Sequence, residues 1–209
     1  MKTTTTLWVL VSRLLVAAAA VMASTACGGE MLRTGRAPVY LVVSSVQAGG
    51  GTSSILRSDV QVLTSTTVNG ATVNVPSVQD DLATVNLRVE QKNTTETGTV
   101  SSLNAVTITR YHVEYRRADG RNTPGVDVPY GFDGGTGVTI SPNAEAPVTI
   151  QLVRHQGKLE PPLMNLGSLG GQVLISTIAE VTFYGHDQNG NEVSVVARMD
   201  VVFGDFPDA

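Results

Sequence analysis

From residue 38 onward, apolar and polar positions alternate with a period of two, the spacing that sends successive side chains to opposite faces of a strand. Pro38 to Gln47 sets Val39, Leu41 and Val43 against Tyr40 and Val42, and Gly49-Gly50-Gly51 breaks the run. Asp59 to Thr67 and Ala71 to Val75 are weaker β runs, joined at Asn69-Gly70, a dipeptide suited to the positive-φ turn of a tight hairpin. Leu82 to Gln91 is cleaner: Val85, Leu87 and Val89 point one way and Asn86, Arg88 and Glu90 the other, as in a half-buried strand. In Val106 to Arg117, Tyr111, Val113 and Tyr115 share a face opposite His112, Glu114 and Arg116. Ile108 falls out of that register, which predicts a bulge or strong twist near Thr109-Arg110.

The rest of the pattern agrees. Lys92 to Ser102 is a polar loop. Val126 to Phe132 and Gly137 to Ile140 are short and broken by glycine, as edge strands or a long functional loop would be. Val148, Ile150 and Leu152 alternate in another strand. His155 to Gly171 carries Pro161-Pro162 and reads as a long connection with one helical turn at Leu163 to Leu166. Gln172 to Tyr184 and Glu192 to Phe203 form a final hairpin across Asn189-Gly190, with Val193, Val195, Ala197, Met199, Val201 and Phe203 on one face. Eight or nine strands and no helix of length predict one all-β domain, an antiparallel β-sandwich.

Composition narrows the possibilities. Charged residues make up 15% of the 209, the net charge is −4, and no basic stripe occurs, which argues against a nucleic-acid partner. With Cys27 the single cysteine, no internal disulfide can form, so burial alone must hold the core.

Ahead of the β pattern, the apolar run Leu14 to Ala23 follows Arg13 with the length and flanks of a secretory leader, and is too short to span a bilayer. Ser24-Thr25-Ala26-Cys27 resembles the lipobox of bacterial lipoproteins. That resemblance implies cleavage before Cys27 and lipid attachment to it, anchoring the protein to a membrane. Ordinary signal-peptidase cleavage after the small residues Ser24-Thr25-Ala26 is the competing reading. The expected organisation is a signal peptide over 1–26, a tether over 27–37 and the sandwich over 38–209. Gly28 stands where the aspartate of an inner-membrane retention signal would stand, which favours an outer-membrane lipoprotein facing periplasm or surface.

Two stretches resemble immunoglobulin-like and fibronectin type III domains. Ile108-Thr-Arg-Tyr111-His-Val113-Glu-Tyr115-Arg-Arg-Ala-Asp119-Gly120 is similar to their third strand and turn, with Val85 to Val89 as its partner. Val181, Phe183, Gly185 and the turn Asp187-Gln188-Asn189-Gly190-Asn191 are similar to the penultimate strand and its hairpin. The resemblance implies a fold and no activity.

Candidate chemistry is sparse. There is no G-x-S-x-G elbow, no H-E-x-x-H, no C-x-x-C and no phosphate-binding loop around Gly157-Lys158. His112, His155 and His186 fall on different elements. Asp187, Asn189, Asn191 and Glu192 cluster oxygen donors of the kind calcium takes, although a hairpin turn needs the same residue types. Asp127 and Asp133, beside Gly134-Gly135, form a second acidic region with the same two readings. With no nucleophile–base pair to nominate, the expectation is no enzyme and no cofactor. The reading is a lipid-anchored, non-catalytic envelope protein, structural or protein-binding, its partner met by an exposed strand edge or by loops 92–102, 121–137 and 155–171. The alternative is a carbohydrate- or calcium-assisted binding module, with Tyr130, Phe132 and Tyr184 as the few aromatics for a sugar, or an accessory subunit of an envelope enzyme complex. Mass spectrometry of the mature protein should find Met1–Ala26 removed and diacyl or triacyl lipid on Cys27; a plain thiol there would refute the anchor.

Overall fold

A computed structural model of the chain describes residues 36–49, 51–92, 101–167 and 172–207. Cys27, the leader, most of the tether and most of the 92–102 loop lie outside them. The described residues are almost wholly β: β1 (Val39–Ala48), β2 (Ile55–Asp59), β3 (Val62–Val68), β4 (Ala71–Ser77), β5 (Asp81–Gln91), β6 (Val106–Arg116), β7 (Phe132–Ile140), β8 (Glu145–Val153), β9 (Ile175–Asp187) and β10 (Glu192–Gly204). One helical turn, α1 (His155–Lys158), follows β8, and short 3-10 turns occupy Ser102–Asn104 and Leu163–Asn165.

The strands form a three-stranded sheet in the order β1-β5-β8, a five-stranded sheet in the order β2-β10-β9-β6-β7, and the separate hairpin β3-β4. Two expectations change. Among the described residues there are ten strands rather than eight or nine, and the architecture is not purely antiparallel, because β2 pairs in parallel with β10 from Ile55↔Asp200 to Asp59↔Gly204. After β1 the chain does not fold back beside itself; it passes to the other sheet and meets β10 running the same way.

Alternation fixes which face is buried. Ala83, Val85, Leu87 and Val89 of β5, with Val148, Ile150 and Leu152 of β8, share one core with Val113 and Tyr115 of β6, Phe183 of β9 and Phe203 of β10. Register shifts keep that core apolar where the sequence parity changes, two of them in β6 and β1. In β6 the register against both β7 and β9 shifts between Ile108 and Arg110, at the predicted place, so Val106 and Ile108 face inward before the shift and Tyr111, Val113 and Tyr115 after it. In β1 a shift between Val43 and Ser45 lets Leu41 and Val46 both pack on the core side.

The glycines after Phe132 do not break the chain into two short strands: β7 runs unbroken to Ile140, while the segment before Phe132 is a turn with a single bridge, Pro124 to Val128. Gly134 pairs with Tyr111, and a Cβ there would collide with the Tyr111 ring. The glycine is a seat for an aromatic rather than a strand terminator.

Tyr111 and Tyr115 also cross between the sheets. The Tyr115 hydroxyl donates to the Leu152 carbonyl at 2.6 Å, and the Gln151 amide donates to the Tyr111 hydroxyl at 3.2 Å. Burial pushes both phenols above their ordinary pKa, Tyr115 far above it, so the donor stays protonated. Tyr115→Phe should cost about 1–2 kcal/mol by leaving the Leu152 carbonyl without its donor, and lower the melting temperature by about 3–6 °C. Tyr184→Phe, at the surface, should leave it unchanged in the same calorimetric scan.

Candidate functional site

The acidic turn at Asp187 is built for its own backbone. Asp187 is fully buried, and its Oδ1 accepts from the amides of Asn189 at 2.9 Å and Asn191 at 2.8 Å, while Oδ2 accepts from Asn191 Nδ2 at 2.8 Å. Gly190 takes φ of +80°. The turn thus brings Asp187 and Asn191 together, but both carboxylate oxygens are engaged within it. No group of three or more His, Cys, Asp or Glu placed to hold a metal ion occurs among the described residues.

The aromatics nominated for sugar binding do not share a face. Phe132 is a core residue, edge-on to Tyr111 and covered by the Arg154 guanidinium at 4.0 Å. Tyr184 lies under the Arg110 guanidinium at 3.8 Å, and only Tyr130 is openly exposed. The loop leading to Tyr130 is closed on itself: Asp119 bonds both Arg117 and Arg121, and these bonds, the Arg117 guanidinium first, hold its carboxyl far below the usual range. In the second acidic region, Asp133 lies 3.1 Å from His112 Nδ1 across the β6–β7 pair, and Asp127 accepts from the Thr123 amide within its own turn. His155 and His186 lie on α1 and β9, away from it.

The feature that stands apart is the β3–β4 hairpin. From Val60 to Gln79 the chain carries no charged residue. Asn69 and Gly70 both take positive φ, 51° and 80°, giving the two-residue turn that Asn-Gly favours. The register Thr64↔Val75, Thr66↔Val73 and Val68↔Ala71 puts β-branched and apolar side chains on one face, and Ser65, Thr67, Thr72 and Asn74 on the other. Both faces are open: Val68, Val73 and Val75 are 51%, 44% and 43% exposed. An isolated two-stranded ribbon is only marginally stable in water, and valine-rich β surface is rarely left bare without a use.

The root of this arm is rigid by contrast. Lys158 of α1 is 2% exposed, and its Nζ donates to the Asp59 carbonyl at 2.7 Å and pairs with Asp81 Oδ2 at 2.9 Å. The buried Ser58 hydroxyl donates to the same Asp81 oxygen at 2.6 Å. Asp59 ends the strand before the arm and Asp81 begins the strand after it, so one ammonium clamps both legs. Beside it, Asp80 Oδ1 accepts from the His155 amide at 2.6 Å and lies 2.9 Å from His155 Nδ1. These bonds, the amide foremost, hold the Asp80 carboxyl below its usual pKa. The Ser58–Asp81–Lys158 chain has the atoms of a proton relay, yet Ser58 and Lys158 are closed to solvent. Under the arm, Val60, Pro76, Lys158, Leu159 and Met164 line a cleft of about 220 Å³, below the size of ordinary small-molecule sites.

Sequence reasoning placed the hairpin and missed its clamp. The signal available was the uncharged 60–79 segment bracketed by Asp59 and Asp80-Asp81, which asks for a cation from elsewhere in the chain. Lys158→Met should lower stability by about 2–3 kcal/mol, because Asp81 loses the partner of a largely desolvated pair. Hydrogen exchange should show the arm-root amides opening faster, and adding Asp81→Leu should recover most of the loss.

No family model matches the sequence, and no curated protein does. Among solved structures the chain is similar to the X-ray structure of Northeast Structural Genomics Consortium target SoR45, at 10% identity over 78% of this chain and 86% of that one, with a TM-score of 0.34. At that TM-score the likeness carries no argument about fold, ligand or partner.

Proposed function

We propose that this protein is a lipid-anchored, non-catalytic component of a bacterial cell envelope, an immunoglobulin-like β-sandwich that holds out the β3–β4 arm as a protein-docking surface. The observation that carries the reading is the arm itself: neutral from Val60 to Gln79, open on both faces, and rooted by the buried Lys158. Function placed on a projecting element needs a stiff base, and the clamp supplies one.

The immunoglobulin-like reading is supported by strand order. A three-stranded sheet β1-β5-β8 opposite β10-β9-β6-β7 follows the connectivity of strands A-B-E against G-F-C-C′ in that architecture, and β2 beside β10 corresponds to an A′ strand that changes sheets. The envelope assignment rests on the leader and the lipobox-like Ser24-Thr25-Ala26-Cys27.

A photo-crosslinking residue at Thr66, introduced in the producing cells, should give discrete protein adducts, and one at Arg198 on the body should give none. Removing residues 64–75 and closing the gap with Asn-Gly should shift the melting temperature by no more than about 3 °C, since the arm adds little to the core. Absence of any Thr66 adduct in intact cells would refute the docking surface.

A further inference from the structure

Resting on the reading of the arm as a docking surface, we infer that its partner is a second copy of this chain, with β3 of each copy paired antiparallel across a two-fold axis at Thr66. Sheet edges invite pairing, and natural proteins blunt them. Among the described residues, every edge but one is blunted. β1 carries the bulge at Ser44, β2 is five residues long, β7 carries Gly134, Gly135 and Gly137, which weaken a strand edge without breaking it, and β8 carries Pro147. On the arm, β4 carries Pro76 at a position whose backbone points outward, so that edge lacks a donor there. β3, Val62-Leu-Thr-Ser-Thr-Thr-Val68, has no proline, glycine, bulge or charge.

The tight turn fixes which groups β3 offers. Val68 and Ala71 flank the two-residue loop and bond each other, so Thr66 and Thr64 also bond across to β4, and Ser65 and Thr67 direct N–H and C=O away from it. With the axis at Thr66, Ser65 of one copy lies opposite Thr67 of the other, and the two symmetric pairs make four backbone hydrogen bonds. Thr66 then meets Thr66, and Thr64 meets Val68, β-branched side chains that pair well across strands. Seen from either end the segment offers nearly the same order of side chains, as an isologous contact requires.

Charge argues for the same partner. Two copies of a chain with net charge −4 repel in general, but the arm carries none of that charge, so it is where they approach without like-charge contact.

Sedimentation equilibrium of the mature protein in mild detergent should show a reversible dimer at about 100 µM, where a short strand-addition interface is populated. Thr67→Pro removes an outward donor and should weaken the dimer at least about tenfold, whereas Asn74→Pro on the opposite edge should not. In a Cys27→Ser background, Thr66→Cys should oxidise to a disulfide-linked dimer and Asn74→Cys should remain monomeric; this holds even if the proline variants fold poorly. A monomer at the highest concentration, or equal crosslinking from positions 66 and 74, would overturn the inference. Thr66 photo-adducts made only with other envelope proteins would overturn the second copy and leave the docking surface standing. Loss of all Thr66 adducts would remove both.

Discussion

Two sheets with no disulfide between them must be held in register by what crosses the gap, and here that work centres on β6. Its inward residues lie at the middle of the core, and its two tyrosines reach past that core to the backbone of β8 in the opposite sheet. Apolar contact alone is non-directional and would tolerate one sheet sliding on the other. The hydroxyl bonds at Leu152 and Gln151 are directional, so they fix the offset. The bulge at Thr109 makes this possible, because without the parity change Tyr111 and Tyr115 would face solvent.

The arm follows a different logic from the body. The body is held by burial, and the arm by position: its strands bury little, so its direction is set where its legs enter the molecule. A buried lysine–aspartate pair is a poor source of net stability, since desolvating both charges cancels most of their attraction. It is geometrically demanding, however, and Lys158 reaches Asp81 and the Asp59 carbonyl together only when both legs sit correctly. The clamp exchanges stability for orientation.

Most of the body was legible from residue order. Strict alternation located β1, β5, β6, β8 and the β9–β10 hairpin, and Asn-Gly pairs located both tight turns, because these signals act between near neighbours. What escaped depended on distant residues. β2 is short and gains its place only by pairing with β10, far along the chain. The β7 glycines read as breaks because the Tyr111 ring that needs them lies on another strand. Lys158 sits in the 155–171 connection, and nothing beside it in the sequence announces burial. At Asp187 the residue types suit an ion and a turn alike, and what they do not announce is that the carboxylate accepts from the Asn189 and Asn191 amides and from Asn191 Nδ2.

The parallel pairing of β2 with β10 has a consequence for the order of assembly. Residues 55–59 are made well before their partner residues 200–204, so this seam cannot zip until those later residues have followed. Until then Leu56 and the strand leading into the arm have no sheet to join.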